Sequence, residues 1–174
     1  SGQELRVLRN GTDVGRADTS GTTWSFQDSG LVDGQSYSYT ARVVNSGNNQ
    51  GAPSAAYVVN IDTSVPTATM NITHYVDDVA PAEGSFNSGS STNDTSPRIH
   101  GTVSATLATG ERVAVFRDGT LVGHASPDAN GAWSFQDSGL VNGQSYSYTA
   151  RVVDRANNPG TLSGELTLSV DTTA

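Results

Sequence analysis

Cysteine and lysine are both missing from this chain of 174 residues. Without cysteine no disulfide can staple the fold. Without lysine no Lys–Asn isopeptide crosslink can form either, so packing and bound ions must do the stabilising. Histidine is scarce, and His74, His100 and His124 show no metalloprotease spacing such as HExxH. No GxSxG turn precedes a helical pattern. With neither a cysteine nucleophile nor a lysine base, the chain reads as non-catalytic. No apolar run approaches the roughly 20 residues that span a bilayer, which argues against membrane insertion. Cations are few: nine arginines stand against 13 aspartates and 4 glutamates, for a net charge of −8. That balance excludes nucleic acid as a natural partner.

What the chain does have is a repeat. Residues 24–44 read WSFQDSGLVDGQSYSYTARVV and residues 133–153 read WSFQDSGLVNGQSYSYTARVV, differing only at Asp33 and Asn142. RNGTDVG at 9–15 answers RDGTLVG at 117–123, and NIDTS at 60–64 answers SVDTT at 169–173. The period of 108 to 109 residues is the size of a domain, not of a solenoid repeat. The sequence therefore divides into a partial repeat, residues 1–65, and a complete one, residues 66–174. Gly2 aligns with Gly110, so the partial repeat reads as the rear two-thirds of a domain.

Short runs of Val, Thr, Tyr and Phe alternate with Gly, Asn, Asp and Ser clusters, and no helical period of 3.6 is sustained. This pattern predicts an all-β fold. In the complete repeat seven strands are expected, at 67–75, 98–103, 112–116, 121–124, 132–136, 145–153 and 165–170, with 76–96 as a long loop. The partial repeat keeps the last five, at 5–8, 14–17, 23–27, 36–44 and 56–61. Asp118-Gly119 is a strong hairpin-turn signal. Alternation turns Trp133, Phe135, Tyr146, Tyr148, Ala150 and Val152 inward. Their counterparts are Trp24, Phe26, Tyr37, Tyr39, Ala41 and Val43. GLVNGQSYSY resembles the tyrosine corner of Ig-like sandwiches, with the hydroxyl of Tyr146 (Tyr37 in the partial repeat) bound to nearby backbone.

SYTARVVDRANNPG, the closing VDTTA, and DDVAPAEG followed by TNDTSP resemble the bacterial Ig-like tandem repeats of giant surface adhesins, the biofilm-associated, Bap-like, type I secreted proteins. The resemblance covers the whole chain. It implies an Ig-like seven-stranded β-sandwich, a secreted or bacterial cell-surface location, and a stalk or spacer role in adhesion or biofilm formation, with neighbouring repeats of the array as partners. It also implies that linker and loop aspartates bind calcium.

Calcium takes six to eight oxygen ligands. The expected topology brings the 76–96 loop and the end of the last strand to one pole. Asp77, Asp78, Asn93, Asp94 and Asp171 can meet there, and their mutual repulsion favours a cation. The alternative is a solvated acidic loop. At the opposite pole DRANNPG presents Asp154, Asn157 and Asn158 toward the linker that carries Asp62; Asp62, Asp154 and Asn158 form a second candidate metal site. The alternative there is an Asx-type turn. Pro66 stiffens the linker.

Two other functions fit the composition: a glycan- or protein-binding Ig-like module, and a non-catalytic accessory domain of a secreted enzyme. The partial repeat lacks its front strands and is expected to expose half a core. It should then recruit a second copy of the chain, by strand exchange or edge pairing, to form a homodimer.

Overall fold

The computed structural model describes residues 2–173. They form two compact units that divide between Thr63 and Ser64. Unit 1 contains β1 (Gln3–Arg9), β2 (Thr12–Arg16), β3 (Asp18–Ser20), β4 (Thr23–Ser25), β5 (Ser36–Asn45) and β6 (Tyr57–Asn60). Four of these make one sheet in the order β2-β1-β5-β6, and β3 and β4 form a separate hairpin.

Unit 2 contains β7 (Met70–Asp77), β8 (Gly84–Phe86), β9 (Ser90–Thr92), β10 (Arg98–Val103), β11 (Arg112–Arg117), β12 (Thr120–Ala125), β13 (Ala132–Gln136), β14 (Ser145–Val153) and β15 (Leu166–Val170). They build two sheets, β13-β10-β7-β8 and β12-β11-β14-β15-β9, which enclose one core. This is an all-β, Ig-like sandwich. All seven expected strands are present. The 76–96 segment needs correction, because it is not all loop. It carries β8 and β9, and β9 adds to β15 in parallel register, Ser90 to Leu168 and Thr92 to Val170. This Gly-, Ser- and Asn-rich stretch has little strand propensity of its own; pairing with an existing sheet edge orders it.

The inward alternation of the long strands builds the core. Tyr148, Ala150 and Val152 of β14 are fully buried, as are Leu166, Leu168 and Val170 of β15. Trp133 is 3% exposed and packs with Tyr75, Ile99 and Val113. Gly101 in β10 is there because of Trp133: a Cβ at that position would lie 2.4 Å from the indole and 2.3 Å from the Asn71 carbonyl oxygen. The β11–β12 hairpin turns at Asp118 and Gly119, both at positive φ (50° and 77°), as a two-residue turn of that hand requires.

The tyrosine corner forms twice. The Val141 amide donates to the Tyr146 hydroxyl at 2.9 Å and the Val32 amide to Tyr37 at 3.0 Å. The one difference within the 21-residue repeat keeps the same local contact: Asp33 Oδ1 accepts from the Thr63 amide, and Asn142 Oδ1 accepts from the Thr172 amide.

Unit 1 differs from unit 2 where strands equivalent to β7 and β10 would lie. Trp24 is 51% exposed and Tyr57 72%, whereas their counterparts Trp133 and Leu166 are 3% and 1%. Val43 is also exposed. The assignment of Trp24 and Val43 to a buried core is therefore corrected: they lie on the inner face of unit 1, but no strand among the described residues covers them. The edge of β4 is partly satisfied locally, since Thr19 pairs with Trp24 in the β3–β4 hairpin. In unit 2 the equivalent strand, β13, pairs with β10 instead.

Candidate functional site

The acidic pole of unit 2 is built where β7 ends, β9 ends and β15 ends. Asp77 closes β7 and is 1% exposed. Its Oδ1 accepts from the Val79 amide at 2.8 Å, and its Oδ2 accepts from the Thr92 hydroxyl at 2.6 Å. Thr92 in turn accepts from the Asp94 amide at 3.1 Å. Asp94 is 3% exposed. Its Oδ1 accepts from the Ser96 amide at 2.6 Å, but its buried Oδ2 has no hydrogen-bond partner. Burial pushes the Asp94 pKa up, the Ser96 amide opposes this, the charges of Asp77 and Asp78 push it up further, and the nearby Asp78 amide, outside good hydrogen-bond geometry, draws it down by less.

Asn93 is similarly placed. Its Nδ2 donates to the Ala80 carbonyl at 2.8 Å, which leaves Oδ1 buried and without a partner. Two buried oxygens, one carboxylate and one amide, thus lie on neighbouring residues without donors. An orphan of this kind costs free energy comparable to a lost hydrogen bond. The oxygen chemistry suits a hard cation such as calcium.

The remaining expected ligands are spread more widely. Asp78 is exposed at the rim. The Asp171 amide donates to the Thr92 carbonyl at 2.8 Å, which ties the end of β15 to this pole. Asp171 and Asn93 line the same hollow of about 340 Å³. The Asp171 carboxylate itself accepts from the Thr173 amide and hydroxyl, and these bonds hold its pKa down. Among the described residues, no three aspartate, glutamate or histidine side chains stand close enough to form a complete metal-ligand cluster. Bound calcium would therefore take several of its oxygens from Asn93, main-chain carbonyls and water.

At the other candidate position, Asp154 and Asn158 make a closed local turn. The Asn158 amide donates to Asp154 Oδ1 at 2.8 Å and its side-chain Nδ2 to Oδ2 at 2.8 Å. The equivalent loop of unit 1 uses Asn45 in the same way, with its Oδ1 accepting from Gly47 and Asn49. Asp62 follows β6 in unit 1, at the position equivalent to Asp171.

One buried polar network escaped sequence reasoning. Asp137 is 6% exposed and receives the Tyr148 hydroxyl at 2.5 Å and Arg117 Nη1 at 2.8 Å. Burial, then the hydrogen bond to Asp137, raise the Tyr148 pKa. Unit 1 repeats it with Asp28, Tyr39 and Arg9. The signal was available: the aspartate and tyrosine stand 11 residues apart in both repeats, with the arginine 19 residues before the aspartate in one and 20 in the other. Aspartate after a strand is ordinarily read as a turn residue, and nothing local shows that it is buried. The network ties β11 to β14 and the 137–140 loop, so its role is architectural.

A family model for the bacterial Ig-like domain matches residues 71–172, more than half of the chain. Exoglucanase B of Cellulomonas fimi is 36% identical over 155 residues, covering 87% of this chain and 12% of that enzyme. The chain therefore spans about an eighth of this relative's length. Among solved structures, the central fibronectin-III array of a RIM-binding protein aligns over 99% of this chain and 58% of its own, at 12% identity and a TM-score of 0.35. A protein of Corynebacterium diphtheriae described as membrane-anchored aligns over 99% and 46%, at 15% identity and a TM-score of 0.42. The sandwich, the doubled tyrosine corner and the matched span agree: this chain belongs to the bacterial Ig-like domain family.

Proposed function

We propose that this chain is a non-catalytic extracellular spacer segment, a bacterial Ig-like module of a surface adhesin whose acidic pole is closed by calcium. The observation that carries the calcium part is the pair of buried, partnerless oxygens at Asp94 and Asn93 beside Asp77 and Asp78. A cation there would satisfy both oxygens and tie the ends of β7, β9 and β15 together. Trp133 is buried, so it offers no aromatic platform for a glycan. A second reading draws on the likeness to Exoglucanase B: the same module, equally non-catalytic, would space the domains of a secreted enzyme acting on polysaccharide. Both readings place the chain outside the cell and give it mechanical rather than chemical work.

The test is thermal unfolding in chelator and in 1 mM calcium. With a Kd of about 10 to 100 μM, calcium adds roughly 1.4 to 2.7 kcal/mol to unit 2. That is a rise of about 5 to 15 °C in its melting temperature. No rise would overturn the calcium reading. Replacing Asp77 and Asp78 by Ala should remove most of the rise.

The pH dependence in chelator has a definite sign. The Asp94 pKa is raised on folding, so the native state holds its proton more tightly than the unfolded chain, whose aspartate titrates near about 3.9. Stability from this group is present below that value and falls as pH rises from there through the folded pKa. Asp94→Asn should abolish the fall, raise the melting temperature in chelator at pH 7, and shrink the response to calcium. A variant that melts lower in chelator and responds fully to calcium would contradict the assignment.

A further inference from the structure

His74 on β7 stands directly opposite His100 on β10. Their rings stack with centroids 4.8 Å apart and planes 5° from parallel. The flanking residues Tyr75 and Ile99 point into the core and are fully buried, so the two imidazoles lie on the outer face of the β13-β10-β7-β8 sheet. A bulge creates the arrangement. The register passes from His74 opposite His100 to Ile72 opposite Gly101, leaving Thr73 as the extra residue.

Thr73 fixes the chemistry of the pair. Its hydroxyl donates to the His100 carbonyl at 3.2 Å, and Oγ1 lies 2.9 Å from His74 Nδ1. The hydroxyl has one proton and spends it on the carbonyl. With the proton assigned in this way, Oγ1 accepts from Nδ1–H and Nε2 is the His74 nitrogen left to coordinate. Burial, then the neighbouring His74 and Arg98, lower the His100 pKa, which favours the neutral form that can coordinate. Ser134, opposite His100 on β13, adds no charge on that side.

We propose that His74 and His100 form a two-imidazole site for a divalent transition-metal ion, copper(II) by preference. Neutral imidazole suits copper, nickel and zinc, and copper binds most tightly in that series. The ion must lie in the plane of both rings, so each ring tilts about its Cβ–Cγ bond and water completes the coordination. The contact of His74 Nδ1 with Thr73 favours Nε2 as the ligating nitrogen, as second-shell partners of metal-binding histidines do. Calcium, which takes oxygen ligands, does not compete for this site.

The probe is copper(II) iminodiacetate, titrated into the chain at pH 7.5 with millimolar calcium and followed by electron paramagnetic resonance. The expected result is one bound chelate per chain whose spectrum shows two equivalent nitrogens in addition to the chelator's own. His74→Gln and His100→Gln should each weaken binding by more than about tenfold, the loss of one strong ligand. Thr73→Val should weaken it by about tenfold while both imidazoles remain. His124→Gln, on β12, should leave it unchanged. Binding through one imidazole, or binding that survives His100→Gln, would overturn the proposal. All four substitutions are on the sandwich surface, and an unchanged melting temperature establishes that each variant is folded.

Discussion

Trp133→Ala should destabilise unit 2 by about 3 to 5 kcal/mol, and Trp24→Ala should leave that unit unchanged and cost unit 1 less than about 1 kcal/mol. Both tryptophans open the same 21-residue sequence, with a single difference among the 21 residues. Local sequence therefore cannot produce the contrast; burial must. Trp133 fills the space between β10 and β14 at 3% exposure, while Trp24 is half in water. A cost of 3 to 5 kcal/mol is a large part of the total stability of a small domain. Because the chain has two tryptophans, each variant leaves one indole as the fluorescent reporter. Trp24 should emit as an exposed indole and Trp133 as a buried one, and urea titrations of the parent and both variants followed by far-ultraviolet circular dichroism, which reads both units, give the two costs. Equal costs would mean that unit 1 buries Trp24 in solution.

This contrast also marks what the sequence could and could not tell. Strict alternation in SYSYTARVV made the buried face of β14 legible, because the side-chain period of a strand is two and one face needs a core. The repeat made the tyrosine corner legible twice. The short strands β8 and β9 were not legible, since Gly-Ser-Phe and Ser-Ser-Thr have no pattern and depend on an edge supplied by β7 and β15. The acidic pole was legible as a set of residues but not as a geometry. Which oxygens end up buried without a donor, Asp94 Oδ2 and Asn93 Oδ1, depends on turns closed by Ser96 and Ala80. The histidine pair was invisible for a related reason. Residues 26 positions apart met only because a bulge at Thr73 shifted the register by one.

The largest effect outside the core should be self-association through unit 1. Its inner face carries a groove of about 530 Å³ lined by Val7, Trp24, Phe26, Tyr39, Tyr57 and Val59. In unit 2 the same wall is covered by β7 and β10. Strand exchange with a second copy does not solve the problem. The described residues hold one β7–β10 pair and two walls that accept it, so moving the pair between copies of residues 1–174 opens one wall for every wall it closes. The arrangement that covers apolar surface without opening unit 2 is two unit 1 faces packed on each other, the self-complementary contact of a two-fold dimer. Light scattering from micromolar to submillimolar protein should show the mass rising from monomer toward dimer, and Trp24→Glu should return it to monomer. A second variant separates this from a general loss of fold. Joining a further copy of residues 67–109 ahead of Gly2, which aligns with Gly110, supplies strands equivalent to β7 and β10 ahead of unit 1. That extended chain should be monomeric, should shift Trp24 emission to the blue, and should raise the cost of Trp24→Ala to that of Trp133→Ala. A parent chain that stays monomeric across the concentration range would overturn the prediction.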